Sequence, residues 1–154
     1  MGLDDLYREI ILDHYGHPRN RGRLDDADIK VEGANPLCGD ELSFYVRLED
    51  GVIRGVRFEG RGCSISQASA SMMTEAIQGK TLGEARALVE EFKAMMRGQP
   101  STLEQTDLSA LAGVRKFPVR VKCATLAWVA LEGGVEEFEE GTRAVVRATT
   151  EVQE

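Results

Sequence analysis

The chain has 154 residues, 42% hydrophobic and 29% charged, the mix of a soluble globular domain with a core of its own. Its net charge of −7 argues against a nucleic-acid partner, because phosphate binding needs a positive surface. Three cysteines, an odd number, argue against a disulfide framework, and no run is apolar for long enough to span a bilayer. We therefore expect one domain over residues 1–154 with no membrane partner. The acidic start, Met1-Gly2-Leu3-Asp4-Asp5, lacks the basic region of a secretory signal, so the expected compartment is the cytoplasm, where thiols stay reduced.

Leu3, Leu6, Tyr7, Ile10, Ile11 and His14 share a helical face, which predicts a helix over 3–15 ended by Pro18 and Asn20-Arg21-Gly22. His14 and His17 can ligate metals, but a lone helical histidine is more often packed or solvated. Residues 28–34 read as a weak strand, and Asn35–Asp40 as a Pro/Gly loop. Leu42, Phe44, Val46 and Leu48 then alternate with Ser43, Tyr45, Arg47 and Glu49, the period of a half-buried strand. Asp50-Gly51 signals a hairpin, with the return strand over 52–59.

From Cys63 the pattern is helical as far as Gln78, with Gly79 as a stop. Thr81-Leu82-Gly83-Glu84 matches a capping box, and the helix it opens turns Ala85, Leu88, Val89, Phe92, Met95 and Met96 to one side. Residues 98–106 read as a polar loop, and Asp107–Gly113 as a short helix with Leu108 and Leu111 inward. Pro118 precedes a helix over 119–132, whose face is Ala124, Trp128 and Leu131 and which Gly133-Gly134 closes. The acidic stretch 136–140 reads as solvated surface, and a last element near Ala144–Val146 has no clear type. Strands followed by helices give an α+β fold, a small three-stranded antiparallel sheet with helices packed on one face.

The chemistry concentrates at the cysteines. Gly60-Arg61-Gly62-Cys63-Ser64-Ile65-Ser66 joins a strand to a helix, so Cys63 sits where unpaired amides and the helix dipole favour thiolate over thiol. Cys38 lies in the Pro/Gly loop, and Cys123 near the start of a later helix. All three stand at element ends, where loops can meet at one sheet edge. Asp40 follows Cys38 at i+2 and completes a four-ligand set. Three thiolates and a carboxylate suit tetrahedral zinc, and thiolates also suit iron–sulfur clusters. The harder carboxylate is the expected labile corner. Three unrelated buried thiols are the competing reading.

Asn35-Pro36-Leu37-Cys38-Gly39-Asp40, Gly60 to Ser71 with Cys63, and Lys122-Cys123-Ala124-Thr125-Leu126-Ala127 resemble the three cysteine motifs of the NifU N-terminal/IscU family of iron–sulfur cluster assembly proteins. The likeness runs from Leu6-Tyr7 to about Leu131. The long piece over 98–113 and Lys116 to Trp128 resemble the SufU branch. Lys122 stands where IscU scaffolds carry a histidine, and Phe117-Pro118-Val119-Arg120 where they carry a chaperone motif.

The resemblance implies zinc on Cys38, Asp40, Cys63 and Cys123, with Cys63 accepting sulfur from a pyridoxal-phosphate cysteine desulfurase of the SufS type. Arg120 and Lys122 would stabilise the anions that develop. The protein would be a sulfur carrier rather than an ordinary turnover enzyme, serving downstream cluster assembly proteins. The alternative is a scaffold that builds a [2Fe–2S] cluster from iron and sulfide on the same residues and hands it on. A third reading is a structural zinc domain.

Overall fold

Strands β2 (Asp40–Glu49) and β3 (Val52–Arg61) form the hairpin that Asp50-Gly51 predicts in this computed structural model, which describes residues 3–36, 39–140 and 146–149. Asp50 and Gly51 both have positive φ, 55° and 78°, the turn whose twist matches the strands it joins. β1 (Ile29–Asn35) pairs antiparallel with β2, as the expected three-stranded sheet requires. A short β4 (Val146–Thr149) adds a fourth strand parallel to β1, giving the order β3-β2-β1-β4. This strand takes up Val146 of the element that had no clear type; Ala144 and Val145 lie outside the described residues.

The free edge of β3 is covered by the chain just after the first helix. Gly22 N–H donates to the Phe58 carbonyl at 2.8 Å, and Phe58 N–H to the Asn20 carbonyl at 3.0 Å. Edge groups that would otherwise template another strand are thus paired.

Pleating sorts the sheet into two faces. Cross-strand partners line up as Ile29–Val46–Val56 and Val31–Phe44–Phe58, and nearly all of these side chains are withdrawn from solvent. The other face carries Lys30, Ser43, Tyr45, Arg57 and Glu59, where Tyr45 O–H and Arg23 Nε donate to Glu59 at 2.7 and 2.6 Å. The helices cover the apolar face. They are α1 (Leu3–Gly16), α2 (Ser64–Ile77), α3 (Leu82–Met96) and α4 (Pro118–Glu139). No helix among the described residues is long and apolar enough to cross a membrane.

The capping box forms as expected: Glu84 N–H donates to Thr81 Oγ1 at 3.1 Å and Thr81 N–H to Glu84 Oε1 at 2.9 Å. Met95 and Met96 are buried core residues. Trp128 stacks on Phe92 with ring centroids 4.6 Å apart, which joins α4 to α3.

Two expectations need correction. Helix α4 does not close at Gly133-Gly134 but runs on to Glu139. A Cβ at Gly134 would lie 2.2 Å from Val31 Cγ2, so the glycine admits the helix to the sheet rather than ending it. Residues 98–106 are not plain loop, since they hold a 3₁₀ stretch at Thr102–Gln105 with Leu103 buried, while the expected short helix forms as Asp107–Lys116 with Leu108 and Leu111 buried. The exposed Arg115 donates to the Met95 carbonyl at 2.9 Å and so satisfies the end of α3.

Candidate metal centre

The two apolar rows of the sheet continue into Gly33–Leu42–Gly60, and then into a polar pair, Asn35 opposite Asp40. The same period of two that turns Phe44 and Leu42 into the core turns Asp40 there as well. Asp40 is consequently 1% exposed, at the end of the core rather than on the surface.

Cys63 reaches Asp40 through a turn that only glycine permits. Gly60 and Gly62 both have φ near 151°. A Cβ at Gly60 would lie 2.1 Å from the Glu41 carbonyl oxygen, and one at Gly62 would lie 2.2 Å from Asp40 Oδ1. Cys63 is the N-cap residue of α2, with extended φ and ψ of −72° and 168°. Its backbone N–H donates to Asp40 Oδ1 at 2.9 Å. Its thiol is half-buried, whereas that of Cys123 is fully buried.

Cys123 arrives from α4, one turn and a half after Pro118 opens that helix. The spacing of α4 from α2 is pinned by a buried polar link. Ser69 Oγ donates to the Ala124 carbonyl at 2.6 Å and accepts from Trp128 Nε1 at 3.1 Å. Ligand atoms of Asp40, Cys63 and Cys123 all lie within 4.8 Å of one another. Ligand atoms around tetrahedral zinc stand about 3.5–4 Å apart, given Zn–S and Zn–O bonds of about 2.3 and 2.0–2.2 Å. The cluster therefore needs only small side-chain movements to hold an ion, and two thiols with a carboxylate form a fitting donor set for zinc.

The fourth expected ligand, Cys38, lies outside the described residues. The flanking backbone is tight: Gly39 N–H donates to the Asn35 carbonyl at 2.9 Å.

Arg120 stands three residues before Cys123, about 60° around the helix, with its guanidinium in the electrostatic reach of both thiols. Cys63 foremost, and Cys123 with it, hold this guanidinium more firmly protonated than usual, against the opposing effect of burial. Lys122 is half-buried and sits about 100° around the helix from Cys123. Neither histidine belongs to the cluster. His14 is buried with Nδ1 2.8 Å from Ser71 Oγ, and His17 is exposed beside Asp13.

Asn35 was not singled out by the sequence. Its side chain is fully buried, with Nδ2 3.5 Å from Asp40 Oδ2 and 3.8 Å from Cys123 Sγ. The available signal was phase, since Asn35 continues the inward positions Ile29, Val31 and Gly33.

Residues 6–144 match the family of the NifU-like N-terminal domain. The zinc-dependent sulfurtransferase SufU of Bacillus subtilis is 49% identical over 141 residues, covering 90% of this chain and 95% of the relative. The iron–sulfur cluster assembly scaffold protein IscU of Streptococcus pyogenes is 43% identical, covering 87% and 85%. A crystal structure from Fervidobacterium islandicum AW-1, described as a candidate cluster assembly scaffold for the SUF system, superposes with a TM-score of 0.79 at 36% identity over 87% of this chain and 99% of that one.

Proposed function

The chain belongs to the NifU-like N-terminal domain family, and from that premise we propose that it is a zinc-dependent sulfur acceptor for iron–sulfur cluster biogenesis. The donor is a pyridoxal-phosphate cysteine desulfurase of the SufS type, and the sulfur passes on to cluster assembly proteins. The work is done in the cytoplasm, where thiols stay reduced.

One observation carries this reading. Asp40, Cys63 and Cys123 converge within 4.8 Å, and of the three only Cys63 is open to solvent while Asp40 and Cys123 are buried. Of the two described thiols, a protein-bound persulfide can approach that of Cys63. Asp40, Cys63 and Cys123 would hold zinc together with Cys38. Zinc on these donors keeps their thiols ionised at neutral pH.

Cys63 Sγ attacks the outer sulfur of the donor persulfide. A new S–S bond forms on Cys63, the donor's S–S bond breaks, and its electron pair leaves on the donor cysteine as thiolate. There is no net oxidation. Arg120, whose charge is coupled to both sulfurs, compensates the negative charge carried through this exchange. Asp40 holds the Cys63 backbone through the 2.9 Å bond and so keeps the acceptor at the helix start. Lys122, beside Cys123 in sequence, adds positive charge at the same end of α4.

The test is mass spectrometry of the zinc-loaded protein after reaction with the desulfurase and cysteine. We expect the mass of one added sulfur on the peptide containing Cys63. Added sulfur only on another cysteine would refute the assignment.

The scaffold reading draws on the relative named a scaffold. It requires a [2Fe–2S] cargo on the same residues, visible as a coloured protein after anaerobic assembly.

A further inference from the structure

We propose that Asn35 is a positioning residue of this centre: its side-chain amide bridges Asp40 and Cys123 and fixes the two relative to each other. The inference rests on the metal-site reading above.

Asn35 closes the core face of β1, in a row otherwise filled by Ile29, Val31 and Gly33. An apolar residue would satisfy that position. The chain instead buries an amide completely, and Asn35 Oδ1 has no hydrogen-bond partner among the described residues. Buried polar groups are normally paired, so an exception calls for a role. The other end of the amide supplies one. Nδ2 lies 3.5 Å from Asp40 Oδ2 and 3.8 Å from Cys123 Sγ, facing both groups at once. The first distance is long for an amide–carboxylate bond and the second is ordinary for a sulfur acceptor, so the amide bridges the two rather than belonging to either.

Asp40 is therefore gripped at both oxygens, Oδ1 by the Cys63 amide and Oδ2 by Asn35. On this reading the carboxylate, which ligand hardness marks as the labile corner, is held in place from both sides. Asp40 and Cys123 are both buried and share one donor, whereas Cys63 has partial solvent access. The choice of asparagine is also chemical. A neutral amide donates to a carboxylate and a thiolate without competing for the ion, whereas aspartate of the same shape would add a negative charge and remove the donor. Groups that orient metal ligands in this way commonly influence affinity by 10–100-fold.

The test compares the full-length protein with Asn35→Ser, Asn35→Ala and Asn35→Asp. Zinc affinity is measured by competition with a chelator, and the thiolate-to-metal band and ligand-field spectrum are recorded with cobalt(II) in place of zinc. Circular dichroism and melting of the metal-free proteins report folding separately. We expect zinc affinity to fall roughly 10–100-fold in Asn35→Ala and Asn35→Asp, with altered cobalt spectra, and Asn35→Ser, which keeps a donor, to fall less. The nearly isosteric Asn35→Asp and the donor-keeping Asn35→Ser carry the test if the alanine variant does not fold. Unchanged zinc affinity and cobalt spectra in the folded variants would overturn the inference while leaving the metal site standing. A wild-type protein that binds neither zinc nor cobalt would overturn the metal site, and this inference with it.

Discussion

The backbone N–H of Cys63 donates to Oδ1 of Asp40 at 2.9 Å, across 23 positions of sequence. The bond ties Cys63 at the start of α2 to the first residue of β2. It exists because Gly62 leaves room for the carboxylate: a Cβ there would stand 2.2 Å from the same oxygen, at a φ of 151° that side chains rarely adopt. Gly62→Ala should strain the backbone by about 1–3 kcal/mol and push Asp40 out of the cluster. We expect a lower melting temperature and weaker zinc binding together, by calorimetry and chelator competition. A variant with wild-type zinc affinity would show that the contact does not shape the site.

Arg120 offers a test of charge separate from metal retention. Its guanidinium is coupled electrostatically to both sulfurs from an exposed position, so its removal leaves the core intact. Arg120→Ala should keep its zinc but accept sulfur at least about tenfold more slowly in single-turnover mixing, as loss of a preorganised donor does elsewhere. Arg120→Lys should recover only part of the rate, because an ammonium cannot fork between two sulfurs. Equal rates in all three proteins would remove Arg120 from the reaction.

Gly134 and Val31 allow a stability test remote from the chemistry. A Cβ on the glycine would also meet Ile29 Cγ2 at 3.0 Å, so α4 must move off β1 to admit it. Gly134→Ala gains helix propensity of nearly 1 kcal/mol but should still destabilise by about 1–3 kcal/mol through overpacking. Urea unfolding measures the sum, and a stabilised variant would contradict the packing.

His14 sets a pH dependence. Burial, with Arg19 adding to it, holds its imidazole below the ordinary value of 6.5, while Glu75, Asp13 and Asp107 oppose the shift. In the window between 6.5 and the lower folded value, the unfolded chain binds more protons, so stability falls as pH falls. The contribution is whole above 6.5 and is lost as pH drops through the folded value. The lowered carboxyls of Asp13, Glu59 and Glu91 act only below their ordinary 3.8 to 4.5. Metal-free protein should therefore melt progressively lower from about pH 7 to about pH 5, and His14→Gln should flatten that slope. Metal must be absent, since ligand protonation has its own pH dependence. Parallel slopes in the two proteins would contradict the assignment.

Much of this molecule could be read from local pattern. Alternation over Leu42–Leu48 and the Asp50-Gly51 turn give the hairpin, and Thr81 with Glu84 gives the start of α3, because each signal is complete within a few residues. The meeting of Cys63 with Cys123 was only suggested by their places at element ends and made definite by motif likeness, since no spacing rule joins residues so far apart. What escaped depends on tertiary partners. Gly134 looks like a helix stop until Val31 stands beside it, and Asn35 looks like a loop residue until Asp40 and Cys123 close around it.

The central claim is that Cys63 accepts sulfur from a desulfurase. Its most direct test is turnover of the cognate cysteine desulfurase, measured as alanine released, with zinc-loaded wild type and with Cys63→Ala. The account predicts strong stimulation by the wild type and none by a folded Cys63→Ala. Equal stimulation by both would contradict it, as would a wild type that gives no stimulation yet assembles a coloured cluster under anaerobic conditions.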